Sequence, residues 1–144
     1  MRTYRYKVQT SSYGLFLGIT AEAIQLNAPP TSGNQVSDRV WLDTGRVHHA
    51  YSGRKLALNG QEVTWLHLGL REYTESIELG APGSYVLIII HALEVVDADY
   101  AEAALAPALA KWTEAEFGLA PRSGRINRDS TTGELTFSWD ERPQ

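Results

Sequence analysis

Cysteine is absent from the 144-residue chain, which removes disulfides, thiolate zinc sites and a thiol nucleophile from consideration. Long hydrophobic runs are absent too. The longest, Val86 to Ile90 with its flanks, falls well short of the roughly 20 apolar residues that cross a bilayer. The N-terminal MRTYRYKVQT lacks the apolar core of about 7–15 residues that marks a secretion signal. Positive charge is also scarce, with 13 Lys and Arg against 17 Asp and Glu and a formal charge of −4. That balance disfavours a general nucleic-acid binder, because phosphate contacts need a cationic field. The expectation is a soluble, cytoplasmic protein with no membrane partner. Its alanine richness fits a GC-rich bacterial genome.

What is present describes an ordinary globular chain. Hydrophobic residues make up 43% and charged residues 21%, outside the compositional range of disorder. The length suits one domain spanning 1–144 that buries about two-thirds of its unfolded surface.

The alternation of Tyr4, Tyr6 and Val8 with Arg5 and Lys7 predicts a half-buried edge strand over Thr3–Gln9. Tyr13–Thr20 reads as a second strand. Thr20 then caps a short helical turn over Ala21–Leu26, or the strand continues. Asn27–Asp38 has the composition of a surface loop, and Arg39–Leu42 offers a short strand. Asn59-Gly60 is the residue pair of a type I′ turn. Counting outward sets Leu58 opposite Gln61, Leu56 opposite Val63, Arg54 opposite Trp65 and Tyr51 opposite Leu68, with Leu66, Leu68 and Leu70 facing the core. Residues 74–84 form a connection with a short extended piece around Ile77. Tyr85–Val96 is apolar on both faces, as central strands are.

Asp97 and Asp99, with Glu102 following, supply capping chemistry for a helix over 98–117. Pro107 is expected to kink or divide it, and Gly118 to end it. Arg125–Asp129 and Glu134–Trp139 form a second hairpin with Gly133 at a positive-φ position. The fold class is therefore α+β: a mainly antiparallel sheet of about five to seven strands with two hairpins, and one main helix packed on one face.

Three groups of residues are candidate sites. His67 and His91 face each other if 74–84 joins their strands symmetrically. Glu72 or Glu94 would then tune an imidazole as a general base; the alternative is that both are hydrogen-bonded strand histidines. Arg46, His48, His49, Arg54 and Lys55 form one basic cluster that suits an anion or an acidic partner, or simply faces water. Arg54 opposite Trp65 would make a cation–π pair. Asp97 and Asp99 follow an apolar strand, a position from which paired carboxylates hold magnesium, although helix capping explains them equally. No nucleophile elbow, P-loop or zinc-protease spacing occurs, so no cofactor is expected.

The leading expectation is a non-enzymatic binding or assembly protein. It would act on a protein partner, itself or another, as an oligomer subunit, a phage-type structural component or a toxin-immunity-like inhibitor. The alternatives are a small enzyme or small-molecule binder with a histidine and carboxylate pocket between sheet and helix, and an RNA-associated domain using the basic arm 46–55.

Overall fold

A computed structural model describes residues 1–141. Strands β1 (Arg2–Gln9) and β2 (Gly14–Leu26) form an antiparallel hairpin. Short strands β3 (Asn34–Gln35), β4 (Val40–Asp43) and β5 (His48–His49) follow, then helices α1 (Gly60–Arg71) and α2 (Thr74–Gly80). Strand β6 (Tyr85–Val95) precedes two 3-10 turns, helix α3 (Leu105–Phe117) and a hairpin of β7 (Gly124–Arg128) and β8 (Leu135–Trp139). The main sheet runs β1-β2-β6-β4-β3, with β5 also on β6. The β7–β8 hairpin forms its own sheet.

The main sheet is mixed and not mainly antiparallel, since β4 and β5 both pair with β6 in parallel. The cause is the α1–α2 segment, which carries the chain back before β6 begins, as a parallel connection requires. Among the described residues there are three α-helices, where one main helix was expected.

The expected hairpin at Asn59-Gly60 is instead the start of α1. Asn59 Oδ1 accepts from the Glu62 amide at 2.8 Å, and Glu62 Oε1 accepts from the Asn59 amide at 2.9 Å, a reciprocal capping box. Gly60 does not have the positive φ that a type I′ turn demands. Helical spacing then buries Leu66 and Leu70, while Leu68 packs elsewhere, toward Phe137. The stretch around Ile77 is likewise helical, with Ile77 buried.

Residues 21–26 continue β2 and form no helical turn. Helix α3 starts at Leu105, not at 98, and no side chain caps it. Asp97–Asp99 forms a separate 3-10 turn, and Glu102 accepts from Asn59 Nδ2 at 3.2 Å without closing a box on Asp99. Pro107 neither breaks nor divides α3, because in the first turn its missing N–H has no intrahelical partner to lose. Gly118, at φ 65°, ends the helix as expected.

All three helices cover one face of the sheet. Leu17, Ile19 and Ala21 of β2 and Val86, Ile88, Ile90 and Leu93 of β6 join Leu66, Leu70, Ile77, Leu105 and Leu109 in one core. Gly69 and Ala106 mark a close crossing of α1 and α3: a Cβ on Gly69 would lie 2.1 Å from the Ala106 carbonyl oxygen. Phe137 of the C-terminal hairpin packs on Ala103 and Ala106, and Trp139 Nε1 donates to the Leu68 carbonyl at 3.0 Å.

Arg39 fastens α2 to the sheet. Its guanidinium donates to the carbonyls of Ala81 at 2.6 Å, Ser84 at 2.7 Å and Glu78 at 3.0 Å. The hydrogen bond from Ser37, with help from the Arg39 amide and guanidinium, holds the Glu78 carboxyl below the ordinary value of 4.5. A depressed carboxylate adds stability above its unfolded pKa and loses it as pH falls through the folded one. The stability gap between wild type and Glu78→Gln should therefore be larger at pH 7 than at pH 3. Urea unfolding at the two pH values checks this, and an equal gap would refute it.

Candidate functional site

The first candidate group is dispersed. His67 lies on α1 and His91 on β6, so the symmetric strand pairing that would have set them opposite each other does not exist. His67 Nε2 is buried without a hydrogen bond, and burial followed by nearby Arg71 lowers its pKa. His91 bonds Glu22 at 2.7 Å on the helix-free face. It is the extra residue of a bulge, because Thr20 pairs with Ala92 and Ala21 with Ile90. Glu72 at the end of α1 pairs with Arg122. Glu94 accepts from Tyr51 Oη and from Arg5 Nε, the latter at 2.9 Å. These two bonds, Tyr51 first, hold its pKa low.

The basic cluster also divides. Arg46 pairs with buried Asp43 at 3.3 Å, and His48 bridges to Lys55 through backbone pairing. Arg54 does not stack on Trp65, which α1 carries away. Among the described residues the cation–π contacts are Lys7 on Phe16 and Arg122 on Trp139. Asp97 and Asp99 line different depressions. Among the described residues no three His, Cys, Asp or Glu side chains group closely enough to hold a metal ion.

Two members of these groups, together with Asp97, meet in a cleft that the sequence reading did not assemble. It encloses about 210 Å³ and is lined by His49, Arg54, Leu56, Ala57, Leu58, Glu62, Leu93, Val95, Asp97 and Tyr100. Local structure explains the convergence. The Ala50 amide bonds the Leu93 carbonyl at 2.8 Å, seating the chain after β5 beside β6. Gly53, at φ 71°, reverses it, and the His49 amide bonds the Arg54 carbonyl at 2.8 Å on the return. The chain then passes through Leu56–Leu58 into the Asn59 cap. On the opposite wall β6 ends, and the 3-10 turn carries Asp97 before Tyr100.

The polar groups of the cleft differ in their freedom. Tyr100 Oη donates to Glu62 Oε2 at 2.5 Å; burial first, and this bond next, push the phenol pKa well up. Glu62 is thus engaged by both Tyr100 and Asn59. His49 Nδ1 accepts from the amides of Tyr51 at 3.2 Å and Ser52 at 3.3 Å. That fixes the ring and assigns its proton to Nε2. Arg54 and Asp97 are exposed, and neither side chain has a hydrogen-bond or ion-pair partner among the described residues. Leu56, Leu58, Leu93 and Val95 supply an aliphatic lining.

A broader depression of about 410 Å³ lies near the same end of β6, lined by Lys7, Val8, Gln9, Leu15, Phe16, Tyr51, Val96 and Asp99. It is less prepared for a ligand, since its lysine lies over Phe16, 5.6 Å from the ring centroid, and its tyrosine hydroxyl is spent on Glu94.

Glu62 and Tyr100 were missed in the sequence. The signal for Glu62 was its position three residues after Asn59. Nothing local marked Tyr100. Among the described residues no helix is long and apolar enough to cross a membrane. No protein-family model matches the chain, and no curated protein sequence matches it.

Proposed function

We propose that the chain is a small-molecule-binding protein whose ligand occupies the cleft between the end of β6 and the start of α1. One observation carries this reading: a concave site with an aliphatic lining in which a fixed histidine, a free arginine and a free aspartate converge. Binding sites combine apolar walls with a few placed polar groups in this way. At about 210 Å³ the cleft is smaller than the roughly 300–1,000 Å³ that encloses drug-sized ligands, so the ligand is a small metabolite. A cysteine-free chain suits a reducing cytoplasm, where such ligands abound.

The test is an amide NMR titration of the full chain with a library of charged and neutral metabolites. Perturbations should fall on Arg54–Leu58, Glu62 and Leu93–Tyr100. Ala57→Phe, at an exposed lining position, should fill the cleft and weaken any binding at least about tenfold while leaving the melting temperature within a few degrees. Perturbations confined to other surfaces, or none from the whole library, would remove this reading.

A second reading, self-association through the helix-free sheet face, rests on different residues. Ile24, Trp41 and Tyr85 are half-buried there, with Trp41 and Tyr85 edge to face at 5.8 Å. Among the charged groups of the same face, Glu22, two residues from Ile24, pairs with His91, and Arg5, further along, with Glu94. Two copies can therefore meet over Ile24, Trp41 and Tyr85 without stranding either pair. Light scattering should then give a dimer mass that Trp41→Glu returns to monomer. A monomer at every concentration would exclude it.

A further inference from the structure

Building on the cleft reading, we infer that its ligand is a zwitterion of the α-amino-acid type with a short aliphatic side chain. The argument starts from charge. Arg54 and Asp97 line one small cavity with opposite signs, yet no ion pair joins them and neither is neutralised by another described residue. Opposite charges facing one cavity without pairing match a ligand that carries both signs on neighbouring atoms. Glu62, the other carboxylate, is withdrawn from this role by Tyr100 and by the Asn59 amide.

The assignment of groups follows from their chemistry. A guanidinium binds a carboxylate in a two-pronged geometry, and the His49 Nε2–H adds a third donor whose direction is set by the two amides on Nδ1. Asp97 accepts from an ammonium. The remaining wall is aliphatic, with Leu56, Leu58, Leu93 and Val95, and takes a side chain of a few carbons. Neither a phosphate ester nor a simple amine uses both charges.

Three probes separate the possibilities in amide NMR titrations of the intact chain. L-Leucine carries both charges, L-leucinamide only the ammonium, and N-acetyl-L-leucine only the carboxylate. L-Leucine should shift the amides of Leu56–Leu58, Leu93, Val95 and Asp97. It should bind about tenfold or more tightly than either blocked compound, one charged hydrogen bond being worth that much. Arg54→Gln and Asp97→Asn should each weaken L-leucine by a similar factor, with unchanged melting curves because both side chains are exposed. Lys7→Gln, in the neighbouring depression, should have no effect.

Binding of a blocked compound as tight as that of L-leucine overturns the zwitterion while leaving the cleft as a binding site. Shifts at Lys7, Phe16 and Val96 that Lys7→Gln abolishes would move the ligand to the other depression. No shift from any of the three probes also overturns the inference, and the wider metabolite titration then decides separately whether the cleft binds anything.

Discussion

Ile89→Asp is expected to unfold the protein or to lower its melting temperature by roughly 10–20 °C. Ile89 is 3% exposed although it lies on the helix-free face of the sheet, between β2 and β4. Its register partners are Glu22 on β2 and Asp43 on β4. The new carboxylate would sit between two others with no cation assigned to it, and like charges opposite one another on a sheet are unfavourable. An unpaired buried charge costs about 3–5 kcal/mol, a large share of the roughly 5–15 kcal/mol by which domains are stable. Lys7→Asp, on an exposed position of the same face, should change stability by no more than about 1 kcal/mol, the loss of its exposed contact with Phe16 included. Thermal and urea unfolding of the two variants gives the comparison. An Ile89→Asp protein that melts like wild type would mean that this face is not closed.

The second large effect runs against intrinsic propensity. Alanine is favoured over glycine in a helix by about 1 kcal/mol, so Gly69→Ala at an open site of α1 would stabilise. Here the added methyl carbon would lie 2.1 Å from the Ala106 carbonyl oxygen and 2.8 Å from its carbon. Carbon–oxygen contacts ordinarily begin at about 3.3 Å, so α1 and α3 would have to part by roughly 1 Å. The obstacle is backbone, which no rotamer change relieves. Overpacking costs about 1–3 kcal/mol, the upper end applying where backbone is the obstacle, against about 1 kcal/mol returned by propensity. A net loss of about 2 kcal/mol is expected, read as a lower urea midpoint at unchanged slope. Gly80→Ala is the control, because nothing lies within 4 Å of a Cβ there. A Gly69→Ala protein as stable as wild type would show that the crossing is looser than described.

Legibility in the sequence followed the range of the interactions involved. Strand β1 could be read because tyrosine and valine alternate with arginine and lysine over a single element. Strand β6 and the β7–β8 hairpin carried equally local signatures. Asn59 failed because asparagine serves a hairpin turn and a helix cap alike, and Leu66 and Leu70 share a face at helical spacing. Asp97 and Asp99 have capping chemistry but sit too far before Leu105 to use it. The parallel pairing of β4 and β5 with β6 has no local signature, since it depends on where α1 and α2 return the chain.

The cleft was legible only as fragments. His49 and Arg54 stood out as part of a basic stretch and Asp97 as half of an acidic pair, two clusters with opposite readings. Their meeting depends on β5 lying beside Leu93, a two-residue pairing too short to leave a pattern. Glu62 was legible as part of a capping box had the helix been chosen, and Tyr100 only through the bond it makes.

The place of β6 in the chain has a consequence for how the protein is made. The sheet's central strand is the last of its strands to be synthesised, after β1 to β5 and both crossover helices. Until Tyr85–Val95 leaves the ribosome, the β1–β2 hairpin can form but leaves the other edge of β2, Leu17 to Leu26, unpaired, and β4 has only the two residues of β3 beside it. Contacts so distant in sequence form slowly, and exposed strand edges invite wrong partners. The Arg2, Arg5 and Lys7 side chains of β1 give every such hairpin a row of like charges, which opposes its pairing with the hairpin of a neighbouring chain.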